Sequence, residues 1–345
     1  MDKLRLGKTG LEVTRIGFGG IPIQRLPEEE AIKVVERCLH LGLNYIDTAN
    51  GYGTSEERIG KAIKGRKRED VIISTKTSPG TPEDIEKNLD LSLKRLQTDY
   101  IDIYQFHQVG TMEAYDRVMH PEHGLYQVFE KALKAGKIRH IGVTSHQIDV
   151  AKKLVASDKF ETIMFPFNFV TKEPAEELLP LCRQHDVGFI DMKPMGGGML
   201  YDATVAFKWL FQYPDIALIP GIEKVEEIEE IVALYEGPHG MTEAEIARME
   251  SLRDELGNRF CRRCDYCQPC RQGIPISMIM TFDTIVKRLP PGNYLNASFI
   301  ISAMEKATGC IECGECETRC PYNLPIREIL KKNYDLYEQA RAAAG

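Results

Sequence analysis

Eight of the chain's ten cysteines fall between Cys261 and Cys320. Cys261, Cys264, Cys267 and Cys270 follow one another at two-residue gaps, and Cys310, Cys313, Cys316 and Cys320-Pro321 repeat the opening of that pattern further on. Three thiolates at successive two-residue gaps on a tight loop reach three corners of one cubane, whereas the same crowding forces strained pairings among disulfides. Iron-sulfur ligation is therefore the reading of both runs. Zinc is the alternative, although four-cysteine zinc sites come as separated pairs rather than as runs of four. Cys38 and Cys182 stand in helical patterns and read as small buried hydrophobes.

A second group of ionisable residues lies far upstream. Asp47, Lys76 and His107 each close a short β-branched run, and Tyr52 sits in the loop that follows Asp47, Thr48-Ala49-Asn50-Gly51-Tyr52-Gly53. Singly, each has a structural explanation: a helix cap, a surface lysine, a loop aromatic, a core histidine. Together, at the ends of consecutive strands, they can converge on one mouth.

The elements that must position them are legible. Eight runs read as strands: Arg15 to Phe18, Asn44 to Asp47, Val71 to Lys76, Tyr100 to His107, Ile138 to Val143, Thr162 to Phe165, Val187 to Met192 and Ala217 to Pro220. Between them lie amphipathic stretches such as Ile85, Leu89, Leu93 and Leu96, with Thr81 and Pro82 as cap and first turn. Eight βα units predict an α/β fold, a closed (β/α)8 TIM barrel, since closure buries eight parallel strands without leaving edges. Leu4 to Val13 reads as a hairpin able to plug the barrel bottom. The cysteine-rich composition beyond Gly257 places a boundary there, giving a barrel domain at 1–256 and a small α-helical iron-sulfur domain at 257–345.

Several segments resemble those of the aldo-keto reductases in order and spacing: Asp47 to Glu56, Ser74-Thr75-Lys76, Asp102 to His107, and Gly142-Val143-Thr144-Ser145. The resemblance covers residues 1–235 and implies a catalytic tetrad of Asp47, Tyr52, Lys76 and His107. The chemistry suits those residue types. Hydride delivery to a carbonyl carbon leaves an oxyanion that needs a proton, and Tyr52 is the candidate acid. A neighbouring Lys76 ammonium favours the phenolate, Asp47 keeps that ammonium charged, and His107 orients the substrate oxygen by a hydrogen bond.

The same resemblance implies a nicotinamide dinucleotide, NADP(H) or NAD(H), held by Ser145, Asn168, Met192, Lys193, Gly221 and Lys224. Here the chain departs from the family: His146 stands where an asparagine is usual, Met164 replaces a glutamine, Met192 an aromatic ring-stacker and Glu227 an arginine. A thioether packs against a flat ring, whereas a 2'-phosphate beside Glu223, Glu226 and Glu227 is repelled.

The second cysteine run resembles the bacterial two-cluster ferredoxins, in which the fourth cysteine of each run ligates the other cluster. Carried over, one 4Fe-4S cluster takes Cys261, Cys264, Cys267 and Cys320, and the other Cys310, Cys313, Cys316 and Cys270. Arg271 stands where the ferredoxin has proline. Clusters move single electrons and nicotinamide moves a hydride, so coupling them calls for a carrier such as the flavin FMN.

A composition of 43% apolar and 28% charged residues is that of a globular protein. A formal charge of -7 disfavours nucleic acid. No apolar run reaches the roughly 18 residues a bilayer span needs, and Met1-Asp2-Lys3-Leu4-Arg5 lacks a signal peptide's apolar stretch. The expectation is a cytoplasmic oxidoreductase that reduces a carbonyl or oxidises an alcohol, with a ferredoxin-type redox partner and neither nucleic acid nor membrane as a partner. Two alternatives stay open: an NAD(P)H-dependent carbonyl reductase with structural clusters, and an electron-transfer or redox-sensing protein on a non-catalytic barrel.

Overall fold

A computed structural model describes residues 1–344; Gly345, the last residue of the expected second domain, lies outside them. The chain divides into two compact units. One comprises Met1–Gly196 with Asp202–Thr242, and the other Gly197–Tyr201 with the chain from Glu243 onward. The division therefore falls at Thr242 rather than near Gly257. The helix Glu243–Gly257 belongs with the cysteine-bearing unit, and the change in cysteine content marks only the interior of that unit.

In the first unit, a hairpin of β1 (Lys3–Arg5) and β2 (Glu12–Thr14) precedes eight parallel strands. These are β3 (Phe18–Gly19), β4 (Tyr45–Asp47), β5 (Ile72–Thr77), β6 (Ile101–Phe106), β7 (Ile138–Thr144), β8 (Thr162–Pro166), β9 (Gly188–Met192) and β10 (Ile216–Ile219), paired in chain order. The eight predicted runs are these strands, with ends shifted by a residue or two except at the first. There only Phe18–Gly19 pairs as a strand with β4.

Closure comes from the stretch before and within β3. Leu218 donates its N–H to Arg15 O, Gly17 to Leu218 O and Gly19 to Pro220 O, each at 2.8 Å. Gly19 is required by this seam, because a Cβ there would stand 2.7 Å from Pro220 O. The alternation of a strand sends every second side chain inward. Tyr45, Ile72, Ile103, Met164, Ile190 and Ala217 form the lower interior layer, and Leu6 and Val13 of the hairpin region pack against it, fully buried. Burying each such side chain contributes about 1.5–3 kcal/mol, so the hairpin seals the floor by ordinary apolar packing.

The helices show why their sequences fold where they do. Pro82–Leu96 begins with a reciprocal cap: Asp84 N–H donates to Thr81 Oγ1 (3.1 Å) and Thr81 N–H to Asp84 Oδ2 (3.0 Å). Such a cap is worth about 1 kcal/mol. Ile85, Leu89 and Leu96 then face the sheet, and the helix stops at Gln97 in the left-handed conformation.

The second unit is helical among its described residues. Ile276–Met280, Phe282–Arg288, Pro291–Leu295, Ser298–Ala307 and Ile326–Ala344 pack around Phe282, whose ring meets Tyr294 and Tyr337 edge-on at 5.7 Å. Asn333, buried within this core, donates to Ile279 O at 2.7 Å. Among the described residues of the whole chain, no helix is long and apolar enough to cross a membrane.

Candidate active site

Because β4, β5 and β6 run parallel and in register, their inward positions near the C-terminal ends fall at one level. Asp47, Ser74, Lys76 and Gln105 meet there. Lys76 Nζ lies 2.5 Å from Asp47 Oδ2 and donates to Thr48 O at 2.6 Å. Ser74 Oγ donates to Asp47 Oδ1 at 2.9 Å, and Gln105 Nε2 donates to Ser74 Oγ at 2.6 Å. Gln105 reaches across only because residue 142 is glycine. A Cβ on Gly142 would come within 2.8 Å of Gln105 Cγ and 2.3 Å of Thr162 Oγ1.

Both members of the ion pair are almost wholly buried. Burial alone pushes the Lys76 ammonium down, but Asp47 and Tyr52 outweigh it and leave Lys76 above the ordinary lysine value. Burial pushes Asp47 up, opposed by Lys76, Ser74 and Gln105. Lys76 thus sits charged in a dry place, with a carboxylate on one side and a phenol on the other. Its Nζ is 5.1 Å from the Tyr52 ring centroid. The His107 ring stands edge-to-face to Tyr52 at 5.8 Å, and His107 N–H continues the ladder to Thr77 O at 2.8 Å. Asp47, Tyr52, Lys76 and His107 are therefore brought together. Ser74 and Gln105, which the sequence reading passed over, complete the cluster; inward alternation along β5 and β6 is the signal that could have found them.

The residues expected to meet a dinucleotide are more dispersed. Ser145 follows β7, and its N–H donates to Met164 O at 3.0 Å. Met192 ends β9. Lys193, at φ +64°, places Nζ 2.8 Å from His146 Nε2. Asn168 is engaged by the backbone: Oδ1 accepts from Val170 N–H (3.0 Å) and Thr171 N–H (2.8 Å), while Nδ2 donates to Lys193 O (3.2 Å). Its carboxamide shapes the loop after β8 and supports Lys193.

Beyond β10, Gly221 lies against Pro22, and Lys224 precedes the helix Val225–Glu236. Glu227 Oε2 accepts the N–H groups of Glu223 (2.7 Å) and Lys224 (3.1 Å), and Arg25 pairs with Glu223. The chain's own carboxylate thus caps the two residues that lead into this helix.

In the second unit, Cys261, Cys264, Cys267 and Cys320 line one hollow of about 320 Å³. Cys270, Cys310, Cys313 and Cys316 line another of about 430 Å³. Each hollow takes three sulfurs from one run and the fourth from the other. Cys267 and Cys320 are buried, whereas Cys313 is exposed. Burial pushes the Cys261 and Cys267 thiols up to about 12 and raises Cys264 and Cys316, with neighbouring cysteines adding to the effect. Among the described residues, no group of three or more His, Cys, Asp or Glu side chains converges closely enough to hold a metal ion.

Comparison with known proteins places the barrel. Residues 15–203 match the family model described as "Aldo/keto reductase family". An uncharacterized oxidoreductase of Bacillus subtilis, YqkF, is 33% identical over 214 residues, 58% of this chain and 67% of that protein. The holo form of an aldo-keto reductase from Bacillus halodurans superposes with a TM-score of 0.62 at 27% identity, covering 73% of this chain and 96% of that one. A Klebsiella pneumoniae aldo/keto reductase solved with NADP and acetate shares the fold, with a TM-score of 0.61 at 22% identity, covering 73% of this chain and 96% of that one. The family match ends at residue 203, ahead of the cysteine runs.

Proposed function

The chain belongs to the aldo/keto reductase family, and from that premise we propose that its barrel reduces a small carbonyl compound, or oxidises the corresponding alcohol, with Tyr52 as general acid and base. The convergence of Tyr52 and Asp47 on one buried lysine carries this reading. A nicotinamide dinucleotide supplies the hydride when bound. Tyr52 gives its proton to the carbonyl oxygen as the carbon is reduced, and the phenolate left behind is stabilised by the Lys76 ammonium. Asp47 holds that ammonium in place, and His107 stands beside Tyr52 to donate a hydrogen bond to the substrate oxygen. Ser145, Met192 and Lys193 would line the dinucleotide's nicotinamide end, and Gly221 and Lys224 its adenosine end.

Of the two dinucleotides, the loop after β10 favours NAD(H). In parallel barrels, phosphates bind at loops after the last strands and at a helix N-terminus. Here the Glu227 carboxylate, held on the Glu223 and Lys224 amides just before the helix, would repel a 2'-phosphate.

The eight clustered cysteines are proposed to hold two 4Fe-4S clusters, with Cys261, Cys264, Cys267 and Cys320 on one and Cys270, Cys310, Cys313 and Cys316 on the other. A single zinc ion needs four sulfurs about 2.3 Å from one point, whereas a cubane places each thiolate on a different iron. Two separate sets of four cysteines, each lining its own hollow and each drawing its fourth member from the other run, suit the crossed pattern of a two-cluster protein. Burial opposes ionisation of these thiols, so binding of a cluster to their thiolates would release protons to solvent and couple to folding.

Electron transfer through these clusters, to a ferredoxin-type partner or through FMN to the barrel, is the reading for their role. A structural role is favoured by a different observation: Cys267 and Cys320 are part of the second unit's apolar core.

The test is Tyr52→Phe in full-length protein purified without air, assayed with an aromatic aldehyde and NADH. We expect kcat to fall by about 10²–10⁴-fold with the visible absorbance of the iron clusters unchanged. Undiminished turnover overturns the assignment of Tyr52.

A further inference from the structure

We propose that Arg95 and Glu56, on the outer face of the barrel, are positioning residues that set Tyr52 against Lys76. Neither belongs to the tetrad, and the inference rests on the reading of Tyr52 as the acid.

Tyr52 is carried by a connection rather than by a strand. Between the end of β4 at Asp47 and the helix Ser55–Ala62, the backbone bonds to β5 through Thr48 N–H to Ser74 O (2.9 Å) and Asn50 N–H to Lys76 O (3.0 Å), and Tyr52 itself sits in a turn, its N–H on Ala49 O (2.9 Å) and its O taking Ser55 N–H (2.9 Å). Such a segment needs an outside support to hold a phenol in place beside an ammonium.

Arg95, in the last turn of Pro82–Leu96, provides it. Its Nη1 donates to Asn50 O at 3.1 Å, two residues before Tyr52, and stands 3.5 Å from Glu56 Oε2. Its Nε stands 3.5 Å from Glu57 Oε1. The same helix also grips the Asn50 side chain, whose Nδ2 donates to Ser92 Oγ (3.2 Å) and Asn88 O (3.3 Å).

Glu56 supplies the other half. Only 1% of its side chain is exposed, and Oε1 accepts the Thr75 hydroxyl proton at 2.7 Å. Thr75 immediately precedes Lys76, and alternation along β5 sends Thr75 outward where Lys76 goes inward. Glu56 therefore holds the strand from behind at the residue next to the catalytic lysine. Arg95 holds the loop from behind just before the catalytic tyrosine, and the two charges pair with each other. The distance between Tyr52 and Lys76 is in this way spanned by an ion pair on the far side of the strand, its carboxylate buried and its guanidinium partly exposed.

That arrangement has a built-in dependence. A carboxylate this buried stays ionised only with its partners, and burial already pushes Glu56 upward. Without Arg95, Glu56 loses an opposite charge that helps to hold its carboxylate down against burial, and Asn50 O loses its donor. Tyr52 then moves relative to Lys76, and displacement of about 1 Å at a reacting group costs on the order of 100-fold in rate.

The experiment compares Arg95→Leu, Arg95→Lys and Glu56→Gln with Tyr52→Phe in full-length, anaerobically prepared protein, with 4-nitrobenzaldehyde and NADH as probes. In Arg95→Leu we expect kcat to fall about 10–100-fold while the dissociation constant for NADH stays within about twofold. The alkaline limb of the kcat profile should move to higher pH, because the phenol has lost part of its ammonium neighbour. Ring-labelled tyrosine NMR, with Tyr52 identified by its absence in Tyr52→Phe, should show the same upward titration shift without turnover. Arg95→Lys, which keeps a donor to Asn50 O, should recover most of the rate. Glu56→Gln keeps the shape and reports the effect of the charge if Arg95→Leu does not fold.

An unchanged kcat and an unchanged Tyr52 titration in a folded variant, with or without a lower melting temperature, overturn the positioning role. If Tyr52→Phe itself retains the parent rate, it is instead the proposed function that falls.

Discussion

The barrel and the helical unit each gather ionisable side chains in a confined place, but the support beneath them differs. In the barrel, Asp47, Lys76 and Gln105 stand on strands whose ladder is complete and whose lower interior is filled by Tyr45, Ile103, Met164 and Ile190. The reactive group sits on a scaffold that is finished without it. In the helical unit, Cys267 and Cys320 belong to the core, with Cys261, Cys270, Cys310 and Cys316 packed against it. There most of the proposed ligand set is also part of the apolar core or packed against it, Cys264 and Cys313 excepted. The lesson is that one chain can hold chemistry as an addition to a fold and as a condition of it.

The strongest way to break this contrast is to remove the iron. Chelation under reducing conditions, or Cys320→Ser, should abolish the visible absorbance and the helical unit's thermal transition together, leaving the barrel's transition in calorimetry. A helical unit that melts unchanged after complete iron loss would show that its core needs no clusters.

A smaller effect sharpens the other side. Glu227→Gln should improve NADPH binding relative to NADH by about tenfold, on the order of one charge removed at a distance in a high effective dielectric, and should leave both melting transitions in place. Equal change for both nucleotides in fluorescence titration would remove Glu227 from the 2' end of the ribose.

The smallest effect is electrostatic and lies at the barrel surface. Arg183 and Asp215 pair at 2.6 Å with about half of each side chain exposed, and the hydrogen bond from Arg183 holds Asp215 below the usual carboxylate value. A carboxylate lowered in this way stabilises the fold above its ordinary value of 3.8, and the contribution is lost as pH falls through the lower folded value. Arg183→Ala should cost at most about 1 kcal/mol near neutrality. Urea melts at about pH 7 and about pH 3 should show the difference from the parent shrinking in acid.

Much of the barrel was legible because its strands are short β-branched runs, and because three of the four tetrad residues stand at strand ends, where parallel register brings them level. Ser74 and Gln105 were equally available to the alternation rule. Other features depend on what a side chain meets in three dimensions. Asn168 has the right type and place for a nucleotide contact, yet the amides of Val170 and Thr171 claim its oxygen. Arg95 and Glu56 lie on different helices, and no periodicity says that one will hold Asn50 O while the other holds Thr75. The helix Glu243–Gly257 groups by contact with the cysteine-bearing unit, an association that cysteine content, which changes only beyond Gly257, does not signal.

The hairpin has a further consequence. With Leu6 and Val13 stoppering the lower end, the barrel is a cup and not a pipe. Any reactant that meets Lys76 therefore comes from the end opposite the hairpin, the rim formed by the C-terminal ends of β4, β5 and β6.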